Sequence, residues 1–217
     1  MSIDFEKSLG AVTRTVSEEQ QREGKPVRRV TLERTYATTA NDLWDVVTNP
    51  ERLKRFFAPV TGELKLGGRF QIEGNAAGTV TTCEPTQYFA ATWEFAGDVS
   101  WIEVRIAPEG EARCRIALSH ICPINAHWAQ FGPGATGVGW DLSLLGLGAY
   151  LADTAFEPSE GQAMLMSEAG MAFIVGACQQ WGQAAAAAGE PAEQAEAAAA
   201  RTTAFYTGGA AGERQED

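Results

Sequence analysis

The residues best placed for chemistry are two histidines and a cysteine near the end of the predicted sheet. His120 and Cys122 stand two residues apart on one predicted strand, and His127 follows five residues later. A zinc site needs three or four such ligands, and Cys114, on the same strand face, lies too far away to join them. We therefore predict no metal site. His120 is instead a polar group at the end of an apolar face, pointing either into a cavity or toward a carbonyl at its rim.

A glycine-rich segment is the second candidate. Residues 132–137 read GPGATG and match the G-x-G-x-x-G pattern, with Asp153 downstream. A dinucleotide-binding fingerprint requires a strand directly before it, whereas an irregular segment containing Trp128 precedes this one. The chain has only two histidines and no G-x-S-x-G motif, so no Ser-His-Asp arrangement is indicated. We predict a glycine-rich loop over 132–139, no cofactor and no catalytic residue.

The composition excludes several classes of partner. The chain has 217 residues and a net charge of −11, from 17 Lys and Arg against 28 Asp and Glu. Nucleic acids and anionic membranes attract a basic face, so we expect neither as a partner. The N-terminus lacks a basic region followed by an apolar run, so we expect a cytoplasmic protein without a secretory signal. We also expect reduced thiols at all four cysteines, Cys83, Cys114, Cys122 and Cys178.

Short strands joined by turn signals dominate the middle of the chain. An alternating strand from Val27 to Tyr36 precedes two short helices, the first capped at Thr38 or Thr39 and the second over 51–57. The six further predicted strands are 60–66, 69–73, 78–83, 88–95, 99–107 and 112–121. Strands joined by short hairpins make an antiparallel meander, so the predicted class is α+β with seven antiparallel strands.

Two hairpins set the expected register of the last three strands. A two-residue loop at 97–98 would place Trp93 opposite Ile102, and a three-residue loop at 108–110 would place Ile102 opposite Ile116. On each strand, apolar and polar side chains then alternate between the two faces of the sheet. One face is therefore mainly apolar, which we call the dry face, and the other is mainly polar, which we call the wet face. The dry face carries Trp93, Phe95, Ile102, Val104, Ile106, Cys114, Ile116, Leu118 and His120. The wet face carries Glu94, Trp101, Glu103, Arg105, Arg113 and Arg115, with Glu103 opposite Arg115.

Beyond residue 123 the pattern becomes helical. Leucines and a tryptophan recur at helical spacing over 140–151, and a second helical stretch runs over 162–188. The third helix, 192–206, is rich in alanine and has little to bury, so it should lie on the surface or against a partner.

The order of these elements, together with several short motifs, resembles the SRPBCC (START-like) superfamily. The resemblance is to the branch named after the activator of the heat-shock-protein-90 ATPase and its bacterial homologues. The matching motifs are LWDVVTNPERL (43–53), FFAPV (56–60), LGGRF (66–70), TWEF (92–95) and GW (139–140).

The resemblance implies a helix-grip fold, in which a curved antiparallel sheet wraps around a long C-terminal helix and encloses an apolar cavity. The gripping helix would start at Gly139 or be the stretch that ends over 181–188. We divide the chain into an N-terminal arm that is an edge strand or disordered, a helix-grip domain, a helical extension packing on that domain, and a disordered tail. Their bounds are 1–25, 26–152, 153–207 and 208–217.

The dry-face aromatic residues and the resemblance together indicate binding of a small hydrophobic ligand in a cavity between the sheet and the C-terminal helix. A solidly packed interior with no pocket of about 300 Å³ would contradict this prediction. The predicted ligand-binding residues are Phe56, Phe57, Phe70, Trp93, Phe95, Ile102, Ile116, Leu118, His120, Trp140 and Leu144. Two alternatives stay open: a cyclase- or hydratase-like enzyme with His120 as acid–base, and a chaperone-linked interaction protein. A homodimer or a protein partner bound through the C-terminal helices is equally left open.

Overall fold

The computed structural model describes residues 3–209, which form nine strands and eight helices. The strands are β1 (Thr13–Val16), β2 (Gln20–Arg22), β3 (Lys25–Tyr36), β4 (Val60–Gly62), β5 (Arg69–Ile72), β6 (Ala77–Glu84), β7 (Tyr88–Phe95), β8 (Asp98–Pro108) and β9 (Cys114–Pro123). The helices are α1 (Phe5–Gly10), α2 (Ala40–Thr48), α3 (Pro50–Leu53), α4 (Ala126–Phe131), α5 (Gly134–Ala152), α6 (Pro158–Leu165), α7 (Glu168–Ala187) and α8 (Ala192–Thr207). Of the predicted arm and the predicted disordered tail, residues 1–2 and 210–217 lie outside the described residues.

The strands form one antiparallel sheet in the order β1-β3-β9-β8-β7-β6-β5-β4, with β2 also paired to β3. The predicted α+β class with a large antiparallel sheet is confirmed, but seven strands are two too few for the residues described. The additional strands come from the N-terminal segment and lie along the free edge of β3, where Val16 pairs with Val30 and Gln20 with Val27. The apolar alternation of this segment is weak because Arg14, whose side chain is buried, stands between Val12 and Val16 on the same face.

The turn between β7 and β8 lies one residue earlier than predicted. The loop is at 96–97, not 97–98, and its φ angles are +50° and +86°. Ile102 therefore pairs with Ala91 instead of Trp93. A tight hairpin needs this left-handed backbone at both loop residues, and an alanine carries no sequence signal for it. Because side chains alternate with a period of two, the two-residue shift in pairing leaves the predicted faces unchanged.

The loop between β8 and β9 is longer than predicted. Residues 109–113 separate the paired ends of the two strands, so the loop has five residues instead of three. Ile102 consequently pairs with His120 and not with Ile116. This shift of four residues is again even, so the apolar face of β9 remains on the side that the alternation predicts.

The predicted pair of Glu103 with Arg115 does not form, because Glu103 lies opposite Ser119. Its carboxylate instead accepts hydrogen bonds from Arg29 at 2.7 Å and from Arg22 at 3.3 Å. Partial burial would raise the pKa of Glu103, but the two guanidinium groups outweigh it and hold that pKa below its usual range. Ion pairs on the wet face thus connect strands that are distant in sequence.

Trp101, predicted on the wet face, is buried there with only 3% of its surface exposed. It packs with Val27 and Ile121, and the guanidinium carbon of Arg22 lies 4.7 Å from the centroid of its ring. Strand β2, which the sequence pattern did not predict, brings Arg22 over the indole. The wet face therefore contains a small apolar cluster, and the side chain of Arg22 shields it from solvent.

Helix α5 begins at Gly134, so most of the predicted loop 132–139 is helical. Its glycines permit close packing against other helices. A Cβ on Gly137 would lie 2.2 Å from the indole of Trp181, and a Cβ on Gly134 would lie 2.9 Å from the hydroxyl oxygen of Thr202. The glycine-rich pattern therefore marks helix–helix contacts and not a phosphate-binding loop.

Helix α5 is the long helix that lies against the sheet. The hydroxyl of Tyr36 donates to the backbone carbonyl of Leu144 at 2.6 Å, and Arg34 Nη1 donates to the same oxygen at 3.2 Å. Both donors stand on β3. Of the two gripping helices left open, a start at Gly139 is five residues late, and the stretch ending over 181–188 belongs to α7.

The predicted helix over 162–188 is two helices, α6 and α7, which meet at an angle of 80°. Ser167 begins α7 by accepting a hydrogen bond from the backbone N–H of Gly170. Within residues 3–209, no single helix has the length and apolarity to cross a membrane, although the bent pair α6–α7 meets both criteria when taken together.

A buried ion pair connects three distant parts of the chain. Arg14 on β1 donates through Nε and Nη2 to the carboxylate of Asp141 on α5, at 3.1 and 2.7 Å. Their side chains are only 2% and 0% exposed. Asp141 also accepts the indole N–H of Trp181 on α7 at 2.8 Å, and Arg14 donates to backbone carbonyls and to the side chain of Gln180. The N-terminal strand, α5 and α7 thus share one polar centre inside the core.

Candidate ligand cavity

A cavity of about 120 Å³ lies between the dry face of the sheet and α5, and it is partly open to solvent. Strands β4 to β9 form its floor, α5 covers it, and α2, α3 and the segment that follows α3 form its wall. The lining residues are Trp44, Val47, Thr48, Leu53, Phe56, Phe57, Val60, Leu64, Phe70, Ile72, Val80, Cys83, Phe89, Ala91, Trp93, Ile102, Val104, Ile116, Leu118, Trp140, Ser143, Leu144 and Leu147.

Two small residues shape the floor of the cavity. Ala91 on β7 lines it with a single methyl group, whereas Phe89 and Trp93 on either side along the strand bring aromatic rings. Gly78 on β6 lets the ring of Phe70 lie against the sheet backbone, because a Cβ there would be 2.6 Å from a ring carbon. The cavity therefore exists partly because large and small side chains alternate across neighbouring strands.

The lining carries few polar groups. Thr48 donates its hydroxyl hydrogen to the carbonyl of Trp44 at 2.7 Å, and Ser143 donates to that of Gly139 at 2.9 Å. The thiol of Cys83 is half-buried, and the cysteine is free. Since both hydroxyl hydrogens are engaged within their helices, the cavity can exclude water around an apolar group, and its lining residues include no acid–base pair.

Nine of the eleven residues predicted to bind a ligand line this cavity. They are Phe56, Phe57, Phe70, Trp93, Ile102, Ile116, Leu118, Trp140 and Leu144. Phe95 does not line it, because it stands at the end of β7 beside the hairpin, beyond the helical cover, and is 53% exposed. The structure brings the nine together, while their contact with a ligand stays a prediction.

His120, the eleventh predicted residue, is buried but does not line the cavity. The indole N–H of Trp140 donates to its Nδ1 at 3.0 Å, and its Nε2 lies 2.8 Å from the hydroxyl oxygen of Ser100. Because an indole can only donate, Nδ1 must carry the lone pair and Nε2 the hydrogen. Ser100 in turn donates to the carbonyl of Trp93 at 3.2 Å. Both ring nitrogens are thus occupied, and neither faces the cavity.

Burial lowers the pKa of His120 to about 3. The imidazole is therefore neutral at physiological pH, which matches the hydrogen-bonding roles assigned from its partners. Within residues 3–209, no group of three or more His, Cys, Asp and Glu side chains could hold a metal ion.

Residues 37–152, more than half of the chain, match the family model described as Activator of Hsp90 ATPase homolog 1-like protein. The chain belongs to this family. The predicted resemblance to the activator branch of the SRPBCC superfamily is thereby confirmed. Every residue that lines the cavity lies inside the matched range, whereas β1, β2 and α6 to α8 lie outside it.

Individual relatives of this AHSA1-like chain agree with the assignment. It is 33% identical over 84 residues to the human "Activator of 90 kDa heat shock protein ATPase homolog 1", a match that covers 38% of this chain and 24% of the human protein. The match therefore spans about a quarter of the length of that relative. The solution structure of CalU16 from Micromonospora echinospora is similar with a TM-score of 0.62 and 25% identity, covering 82% of this chain and 97% of that one. A conserved protein from Enterococcus faecalis shares the fold, with a TM-score of 0.62 at 15% identity, over 83% of this chain and 95% of its own.

Several lining residues of this AHSA1-like cavity were not predicted. They include Trp44 and Val47 on α2, Phe89 and Ala91 on β7, and Cys83 on β6. The larger of these residues could have been predicted, because the apolar stripe of α2 and the side-chain alternation of β6 and β7 indicate which side chains face the interior. A small residue such as alanine gives no such signal, because its contribution is the space that it leaves.

We expect the stability of this AHSA1-like domain to fall as the pH drops below about 6.5, the pKa of His120 in the unfolded chain. The folded-state pKa is depressed, so below that pH the unfolded chain binds a proton that the folded chain does not. Integrated to pH 5, the lost stability is about 2 kcal/mol. The measurement is urea unfolding at pH 7.5 and pH 5.

The control for this prediction is His120→Gln, whose amide can still accept from Trp140 and donate to Ser100. Other groups also titrate in this range, so the comparison is between the two pH-dependent losses and not between absolute stabilities. The wild type should lose about 2 kcal/mol more than the variant. Equal losses would show that His120 does not stay neutral in the fold.

Proposed function

We propose that this AHSA1-like chain binds a small apolar molecule in the cavity between the sheet and α5. The observation that carries the proposal is an unfilled cavity lined almost entirely by apolar side chains. The hydroxyl groups of Thr48 and Ser143, which also line it, already donate their hydrogens to backbone carbonyls. A cavity with such an apolar lining accepts apolar guests, because the guest restores the contacts that the lining lacks.

The volume of the cavity limits the size of the ligand group that can enter it. At about 120 Å³ it falls short of the pocket of about 300 Å³ that we expected. An engineered apolar cavity of about 150 Å³ takes up benzene, so the part of a ligand that enters here is about the size of one ring or a short alkyl group.

A binding role is favoured over a cyclase- or hydratase-like one by the placement of His120. Its two nitrogens are committed to Trp140 and Ser100, and its low pKa disfavours the protonated form that a general acid must supply.

The four free cysteines support our proposal that the protein acts in the reducing cytoplasm.

The test is Ala91→Leu, which adds three carbon atoms to the floor of the cavity. We expect benzene binding, measured by calorimetry and by the benzene-induced rise in Tm, to weaken by at least about tenfold because the leucine occupies the space. Ala117→Leu is the matched control, since Ala117 stands on β9 with its side chain on the opposite face of the sheet. The proposal fails if benzene does not bind the wild type, or if it binds both variants equally.

The second candidate function is an interaction with a chaperone of the heat-shock-protein-90 type. The observation that favours it is the identity to the human protein named as an activator of the 90 kDa heat shock protein ATPase. Its test is the steady-state ATPase rate of the chaperone from the same host with and without this chain. An unchanged rate together with no co-sedimentation would reject it.

A further inference from the structure

A second cavity of about 220 Å³, also partly open to solvent, adjoins the first on the far side of Phe56 and Phe57. The two cavities have in common the side chains of Phe56, Phe57 and Ser143. The other residues around the second cavity are nearly all apolar: Ile3, Leu142, Leu145, Gly146, Phe156, Pro158, Gly161, Gln162 and Leu165. Many of them stand on or just before α6, beyond residue 152 where the family match ends.

The partition between the cavities consists of Ser143 and two aromatic side chains. The ring of Phe57 stacks on Trp140 with 5.9 Å between centroids, and Phe56 stacks on Tyr150 at the same distance. The backbone beneath the two rings lies directly against α5 at Gly146. A Cβ on Gly146 would be only 2.7 Å from the carbonyl oxygen of Phe56, so the absence of a side chain permits this close approach. Since the backbone is held in place, any passage between the cavities requires a side chain of this partition to rotate.

Helix α6, which covers the second cavity, is attached to the rest of the protein by few contacts. It contains no buried residue. Arg55 holds the segment before it, donating from Nη2 to the carbonyl of Phe156 at 3.0 Å and to the carboxylate of Glu157 at 2.8 Å. The side chains of this ion pair are 30% and 55% exposed, so solvent screens the attraction between them. An element with so few buried contacts can open locally while the core stays folded.

We infer that the two cavities form one elongated site, and that its ligand is a molecule with a straight alkyl chain that passes Phe57 and ends beneath α6. The inference rests on the proposed function. Neither cavity alone reaches the volume of about 300 Å³ at which small-molecule pockets begin, so a ligand of that size would have to occupy both. A thin chain fits a passage opened by one rotated ring, whereas a fused ring system would have to displace both phenylalanines.

The test measures the affinity of primary n-alkanols, from hexanol to dodecanol, by calorimetry. Each methylene that is buried should tighten binding by about fourfold. In the wild type the gain should continue beyond the chain length that fills the first cavity. Leu142→Trp places an indole in the second cavity alone, since Leu142 lines that cavity and not the first.

In Leu142→Trp we expect hexanol to bind as in the wild type, and decanol to bind at least about tenfold more weakly. Leu165→Trp blocks the same cavity from α6 and should behave alike, which protects the test against a folding defect in either variant. Ala91→Leu blocks the first cavity and should weaken every alkanol.

The outcomes separate the two proposals. If hexanol and decanol bind Leu142→Trp and Leu165→Trp as tightly as they bind the wild type, the elongated site is rejected while the binding function stands. If the wild type binds benzene but none of the alkanols, the elongated site is likewise rejected while the binding function stands. If it binds neither benzene nor any alkanol, the proposed function itself fails, and the elongated site fails with it.

Discussion

Replacement of Asp141 with alanine is expected to lower the free energy of unfolding by about 3–5 kcal/mol. The substitution leaves the guanidinium of Arg14, whose side chain is 2% exposed, without its counter-charge inside the core. It also removes the acceptor of the indole N–H of Trp181. Arg14 would keep its hydrogen bonds to backbone carbonyls and to Gln180 but would be a buried cation without a counter-charge, and the indole N–H of Trp181 would be buried without an acceptor. Both are costly states inside a core. Urea unfolding at neutral pH measures the loss.

The control for the Asp141 prediction is an exposed ion pair. Arg115 and Glu33 lie 2.7 Å apart with side chains 45% and 36% exposed, so Glu33→Ala should cost only about 0–1 kcal/mol. Replacing both buried partners, as Arg14→Met with Asp141→Leu, should recover most of the loss because no unpaired charge remains. A loss in Asp141→Ala no larger than that in Glu33→Ala would show that the buried pair is not closed in solution.

Replacement of Trp181 with alanine is expected to destabilise the protein by about 3–5 kcal/mol. The indole is fully buried on α7 and packs directly on Gly137 of α5. Truncation leaves a cavity at the contact between the two helices and removes one hydrogen bond to Asp141. Thermal and urea unfolding monitored by circular dichroism would report the change.

Gly137 provides the companion measurement for Trp181. In the wild type, Gly137→Ala should cost about 1–3 kcal/mol, because its methyl would overlap an indole that has no room to move. In the Trp181→Ala background the same methyl enters vacated space, so the cost should vanish and the better helix propensity of alanine should remain. Additive effects of the two substitutions would contradict the contact that explains this glycine.

The same glycines show why part of the fold could not be predicted. A cluster of glycines is typical of a loop, and on that basis the pattern over 132–139 predicts one. Glycine also permits close packing of helices, and the choice between the two depends on what lies opposite. For Gly137 the opposing residue is Trp181, more than forty positions away, so no local pattern identifies it.

The strand registers show a different limit. The faces of β7, β8 and β9 were predictable, because alternation has a period of two and tolerates an even shift. The pairing itself was not, since it depends on the conformation of the hairpin loops. Ala96 adopts a positive φ angle that an alanine rarely takes, and the five-residue loop 109–113 carries no length signal.

His120 illustrates the limit for the candidate site. Its position on the dry face was predictable from the strand pattern, but its role was not. The donor from Trp140 and the acceptor at Ser100 come from other elements, and together they decide its tautomer, its neutral charge and its absence from the cavity lining. A histidine in an apolar strand has no fixed function until its hydrogen-bond partners are known.

Local patterns in the sequence were enough to predict the α+β class, the dry and wet faces of the sheet, the family motifs and most of the aromatic residues around the cavity. These features follow from periodicity and from short motifs, which depend on neighbouring residues. The volume of the cavity, the buried pair of Arg14 and Asp141, and the second cavity behind Phe57 became known from the packed fold alone. Each of these depends on contacts between elements far apart in the chain, such as the 127 positions that separate Arg14 from Asp141. Such contacts form when helices and sheet pack together, and a linear pattern does not record them.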